Sequence, residues 1–139
     1  MKNFFKKYWL LIFALLLGAF LRLYQLGSLP NALTWDEAAL GYNAYSIIKT
    51  GRDEFGKLLP IVFKSFGDYK PGLYVYLVIP SVAIFGLNEF AVRLPGALFG
   101  VLAIFGIYLL ILELFAEEKR ARLLASFSTL ALAITPSLS

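Results

Sequence analysis

An all-α membrane protein is the fold class this sequence predicts, and three observations predict it. The chain of 139 residues is 60% hydrophobic and only 16% charged, against about 25% charged residues in an ordinary soluble domain. Its apolar residues are gathered into runs long enough, or nearly so, to cross a bilayer. Its basic residues cluster at the ends of those runs, as at Lys2, Lys6 and Lys7 and again at Lys119, Arg120 and Arg122. The net charge of +4 forms no continuous basic stripe, so it suits anionic headgroups and gives no reason to expect a nucleic-acid partner. Cysteine and histidine are both absent. A disulfide framework, a Cys/His zinc site and a histidine-based triad are therefore excluded within this segment.

The first expected span covers about residues 8–26, interrupted by Arg22, whose long side chain can snorkel to the far interface. The lysines before it place the N-terminus in the cytoplasm. No small-residue cleavage site follows the run, so it reads as an uncleaved anchor rather than a signal peptide. The second span is expected at about 94–115, with Pro95 in its first turn, where a helix tolerates proline. The third starts at Leu123 and covers about 123–138. The stretch from Gly72 to Phe85 carries no charge but holds only about 14 residues, a length more often interfacial than spanning. Treating it as non-spanning returns the Lys119–Arg122 loop to the cytoplasm, in keeping with the positive-inside rule. The outcome is a multi-pass plasma (inner) membrane protein with one long external loop, about 27–93, carrying two juxtamembrane helices.

Within that loop, Pro30, Asn31 and Thr34 punctuate the exit from the first span. Thr34 with Glu37 three residues on is a capping-box signature and starts a helix. Leu40, Ala44, Ile47 and Ile48 give that helix an apolar stripe, Gly51 stops it, and its tyrosines suit the membrane interface. Gly51 to Gly56 is a turn, and Leu59 to Phe66 a short extended segment with Pro60 at its start. Gly67 to Pro71 is a second turn leading into the apolar Gly72–Phe85 segment.

Four residues carry candidate chemistry. Asp36 and Glu37 are acids at a helix start, where carboxylates complement the dipole; Glu37 has a sufficient capping role, whereas Asp36 is also fit to act as a general base at the water–lipid boundary. Lys70 offers a point cation to a phosphate, set against the plainer reading of a solvated turn lysine. Arg93, at the mouth of the second span, serves as an interfacial anchor or as a bidentate phosphate binder. Asp68 is most simply a turn residue, and Trp35 an interfacial aromatic. A base with phosphate-binding cations fits transfer of a group from a lipid phosphate to a hydroxyl. The alternative is a non-catalytic multi-pass membrane protein that binds lipid phosphate.

The order and spacing of several pieces resemble the N-terminal part of the GT-C membrane glycosyltransferases, and more narrowly the bacterial dolichyl-phosphate-mannose–protein mannosyltransferase and aminoarabinose transferase group. The pieces are Trp35-Asp36-Glu37-Ala38, Gly51-Arg52-Asp53 with Pro60, Asp68-Tyr69-Lys70-Pro71, Phe85-Gly86 and Ala91-Val92-Arg93-Leu94-Pro95. The resemblance implies an inverting sugar transfer from a polyprenyl-phosphate donor to a protein, lipid or glycan acceptor at the outer membrane face. It implies that Asp36, beside Glu37, is the catalytic base and that Lys70 meets donor or acceptor phosphate, and it matches Arg93 to an arginine at the start of the second span. A divalent metal is the one cofactor candidate, and its ligands stay unassigned because Tyr69 stands where aminoarabinose transferases carry a ligating glutamate. The resemblance further implies that more spans belong to the full-length enzyme and that this segment alone is inactive.

Overall fold

The computed structural model describes residues 2–24, 26–28, 32–65, 68–118 and 120–135. Among them are five helices and one two-stranded antiparallel sheet: α1 (Lys2–Leu23), α2 (Trp35–Thr50), β1 (Val62–Ser65), β2 (Asp68–Pro71), α3 (Leu73–Phe85), α4 (Glu89–Leu114) and α5 (Ala121–Ile134). The expected punctuation at Pro30, Asn31 and Gly67, the loop residue Lys119 and the final residues 136–138 of the third run lie outside the described residues. The chain divides into two compact units, one of residues 1–24 with 96–139 and one of residues 25–95.

In the first unit, α1 packs on α5. Small residues set this contact: α5 buries Ala121, Ala125, Thr129 and Ala133, which recur every four residues along one helical face. Leu11, Tyr108 and Ala125 form one core cluster, and Ala14, Ile104 and Ala133 another. Arg22 closes the unit. Its guanidinium donates to the carbonyls of Leu132 (3.1 Å) and Ala133 (3.2 Å), at the end of α5 where backbone acceptors lack intrahelical partners. Snorkelling alone does not describe it, because the side chain is spent on a neighbouring helix. The third apolar helix runs Ala121–Ile134, starting two residues before the expected Leu123.

The 26 residues of α4 make it long and apolar enough to cross a membrane, and it is the one described helix that meets that test. Leu98, Phe99, Leu102, Leu109 and Leu110 along it are exposed, as suits a lipid-facing surface. Asn88 explains why α4 begins at Glu89 and not near Leu94. Its carboxamide oxygen accepts from the Ala91 N–H at 2.8 Å, an N-cap, and Glu89 complements the first turn. Pro95 consequently sits inside the helix and not in its first turn, which corrects the sequence expectation. Lacking an N–H, Pro95 leaves the Ala91 carbonyl without its usual donor. The buried Ser81 hydroxyl from α3 lies 2.6 Å from that oxygen and supplies a replacement.

The second unit holds α2, the hairpin, α3 and the start of α4. Its core is Ala44, Ile47, Phe63, Val75, Val78, Val82, Ala91 and Val92. The capping box of α2 forms as expected: the Thr34 hydroxyl accepts from the Glu37 N–H (3.3 Å) and the Glu37 carboxylate accepts from the Thr34 N–H (2.9 Å). Gly51 ends the helix at φ 70°, a left-handed conformation that side-chain-bearing residues avoid. The apolar stripe is truer at Ala44 and Ile47, which are buried, than at Ile48, which is exposed. The Gly51–Gly56 turn is clasped by two side chains. Asp53 accepts from the Phe55 and Lys57 N–H groups (3.0 and 2.7 Å), and Asn43 on α2 exchanges hydrogen bonds with Glu54 (3.0 and 3.1 Å). At 13 residues, α3 extends about 20 Å, short of the roughly 30 Å of a hydrocarbon core.

Residues 68–71 are not a turn. They form β2, paired with β1 in the register Val62–Pro71, Phe63–Lys70, Lys64–Tyr69 and Ser65–Asp68. The extended segment expected from Leu59 had a partner a few residues downstream, and pairing satisfies backbone groups that a turn would leave to solvent.

Candidate functional site

Asp36 and Glu37 occupy the second and third positions of α2, within its capped first turn. Successive helical residues diverge by about 100°, so the two carboxylates face different surroundings. Glu37 turns inward. Asp36 turns outward and stays 71% exposed.

Arg93 meets Glu37 through a two-pronged contact. Its Nε donates to Glu37 Oε1 at 2.8 Å and one Nη to Oε2 at 3.1 Å, the paired geometry in which a planar guanidinium binds a carboxylate best. Its Nη groups also donate to backbone carbonyls: Ala32 at 3.0 Å and Leu26 at 3.2 Å. Arg93 is buried. The guanidinium thus ties together the segment before α2, the first turn of α2 and the start of α4. The Arg93 hydrogen bond, opposed by burial and helped by Thr34, holds the Glu37 carboxyl below its ordinary pKa of 4.5. Glu37 is accordingly a fixed carboxylate with both oxygens occupied.

Lys70 reaches its position through the hairpin. Alternation along paired strands puts Phe63 and Lys70 opposite each other on one face. Phe63 on that face is buried in the core of the unit, so Lys70 points inward as well. It is largely buried, and its ammonium donates to Asp36 Oδ1 in an ion pair. The solvated turn lysine of the plainer sequence reading is therefore replaced by a strand lysine held against α2.

The four candidate residues all lie in the second unit, and the structure sorts them into two pairs: Asp36 with Lys70, and Glu37 with Arg93. The first pair has an exposed acid over a shielded cation. The second is inward, hydrogen-bonded and largely withdrawn from water. The carbonyls of Leu26 and Ala32 are further acceptors at the Arg93 site; nothing in the sequence marks a backbone acceptor in advance. Among the described residues no group of three Asp, Glu, His or Cys side chains gathers to hold a metal ion. The Glu37 oxygens are already engaged by Arg93 and Thr34.

A family model described as dolichyl-phosphate-mannose-protein mannosyltransferase matches residues 69–138, half of the chain. The matched segment takes in Lys70 and Arg93 and starts downstream of Asp36 and Glu37. No curated protein and no solved structure matches the chain.

Proposed function

The chain belongs to the dolichyl-phosphate-mannose-protein mannosyltransferase family, and from that premise we propose that it serves the inverting transfer of a sugar from a polyprenyl-phosphate donor to a hydroxyl acceptor at the outer face of the plasma membrane. The observation that carries the reading is the Asp36–Lys70 pair. It joins an accessible carboxylate, the group needed to take a hydroxyl proton, to a shielded ammonium, the group needed beside a phosphate.

In this reading the donor phosphate engages the Lys70 ammonium and draws it from Asp36. The freed carboxylate then accepts the proton of the acceptor hydroxyl. The hydroxyl oxygen attacks the anomeric carbon, the bond from that carbon to the phosphate oxygen breaks, and the phosphate leaves with the electron pair beside Lys70. Attack opposite the leaving group inverts the anomeric centre. Glu37 and Arg93 act at one remove: they hold the first turn of α2 in place, and a phosphate could reach Arg93 only by displacing Glu37 or a backbone carbonyl. We accordingly assign the acid–base role to Asp36, the phosphate contact to Lys70, and positioning to Glu37 and Arg93.

The test is Asp36→Asn in the full-length protein, assayed for transfer from a polyprenyl-phosphate sugar in membrane vesicles. Asp36 is 71% exposed, and asparagine keeps a side-chain oxygen that can accept from Lys70, so the variant should insert and fold normally. Transfer is expected to fall by at least about a hundredfold, the scale of a lost general base. Normal transfer would remove Asp36 from the mechanism. Absence of transfer even by the wild-type protein, together with loss of phosphate binding by Lys70→Ala, would favour a lipid-phosphate-binding protein without catalysis.

A further inference from the structure

The segment Leu58–Val62 has a property that the transfer reading leaves unused. Leu58, Leu59, Ile61 and Val62 are all exposed, Ile61 at 84%. Hairpin pairing brings a second apolar stretch beside them: Val62 faces Pro71 across the strands, and the Gly72 N–H donates to the Ile61 carbonyl at 2.8 Å. Leu73, immediately after, is 74% exposed.

This is not a loose loop. The Leu59 N–H donates to the Gly51 carbonyl at 3.1 Å, and the Tyr76 hydroxyl donates to the Pro60 carbonyl at 3.0 Å. Leu59 is held at φ 39°, a conformation that bulky residues avoid and that surrounding structure must impose. The backbone is fixed while the aliphatic side chains are turned outward. Lys57 and Lys64, both exposed, bracket the run in sequence.

We propose that Leu58–Val62 with Leu73 is a preformed ridge that enters the acyl region of an anionic lipid leaflet, with Lys57 and Lys64 meeting the headgroup phosphates. Two observations select lipid as the occupant. The unit of residues 25–95 is joined at one end to α1 and passes at the other directly into α4, the apolar helix of 26 residues, so its chain is tied to the bilayer without a linker. The charge pattern is also that of interfacial insertion: apolar side chains flanked by lysines that favour anionic headgroups. Through the Phe63–Lys70 pair the ridge is one residue along β1 from the strand position opposite Lys70. Insertion would thereby fix the depth of the Lys70 ammonium near the plane of lipid phosphates, a consequence that rests on the transfer reading while the insertion itself does not.

These 139 residues contain no cysteine, so once any cysteine elsewhere in the full-length protein is replaced, a single label is unambiguous. The full-length Ile61→Cys protein, and separately Leu73→Cys, would carry an environment-sensitive fluorophore in vesicles of zwitterionic and anionic phospholipid. Lipids bearing a nitroxide on the acyl chain should quench each label by about twofold or more, while aqueous iodide should quench it little. Strong iodide quenching without nitroxide quenching would overturn the proposal. Protection from both quenchers would overturn it too, because the ridge would then be covered by protein. Transfer activity of the same preparations reports separately on the Asp36 reading, so the two can fail independently.

Discussion

Glu37 and Asp36 are adjacent acids whose surroundings give them different duties. Glu37 receives three hydrogen bonds from two residues, two from the Arg93 guanidinium and one from the Thr34 backbone. Because these contacts favour the charged form, its carboxyl is held below 4.5. A carboxylate with a lowered folded pKa contributes stability that is fully present above its unfolded value and lost as pH falls through the folded value. Thermal unfolding in detergent should therefore show wild type losing stability on acidification below about pH 4.5, with Glu37→Gln showing less of that loss. Arg93→Ala should cost about 3 kcal/mol at neutral pH, because it leaves a carboxylate withdrawn from water without its partner. Reduced cost at low pH, where Glu37 is protonated, would mark the pair as the cause; a pH-independent loss would assign the effect to packing.

At the scale of elements, Ser81 and Pro95 form a compensated defect between α3 and α4. Pro95 removes a donor inside α4 and the Ser81 hydroxyl covers the Ala91 carbonyl left behind. Ser81→Ala should cost about 2 kcal/mol, the desolvation cost of a buried acceptor left unpaired. In a Pro95→Ala background, which restores the helical N–H, the same change should cost clearly less, and a double-mutant cycle measures the difference. Equal costs in both backgrounds would mean that Ser81 acts through its other neighbour, the Val78 carbonyl at 2.8 Å. Helical glycines make a second comparison. A Cβ at Gly18 would sit 2.2 Å from Ile104 Cδ1, an atom of a fully buried side chain, whereas a Cβ at Gly106 would meet nothing within 4 Å. Both changes to alanine improve intrinsic helix propensity by about 1 kcal/mol. Gly106→Ala should thus stabilise the protein and Gly18→Ala destabilise it, as read by unfolding in detergent.

Across the whole molecule, what could be read from the sequence was what local chemistry decides. Thr34 and Glu37 announce the start of α2 because a capping box is complete within four residues, and Gly51 announces its end for the same reason. Lys70 could not be placed, since its direction depends on the pairing of β1 with β2 and on Phe63 sharing its face. Pro95 was misplaced because the start of α4 depends on Asn88, a cap lying outside the apolar run that draws attention to the helix. The pairing of Arg93 with Glu37 joins residues 56 positions apart, and no local pattern encodes it. The orientation in the membrane rests on length and charge. At about 1.5 Å per residue, α4 extends about 39 Å, enough to cross, and α3 only about 20 Å. In the proposed topology, a single crossing between α2 and the Glu117–Arg122 loop would put these two places on opposite sides, and the positive-inside rule would assign that loop and the N-terminus to the cytoplasm. In intact cells, Lys49→Cys should react with a membrane-impermeant maleimide, and Glu117→Cys should react only after permeabilisation. Labelling of Glu117→Cys from outside would require either a second crossing within residues 50–116 or the reverse orientation, and would move Asp36 and Lys70 away from the face on which the proposed transfer takes place.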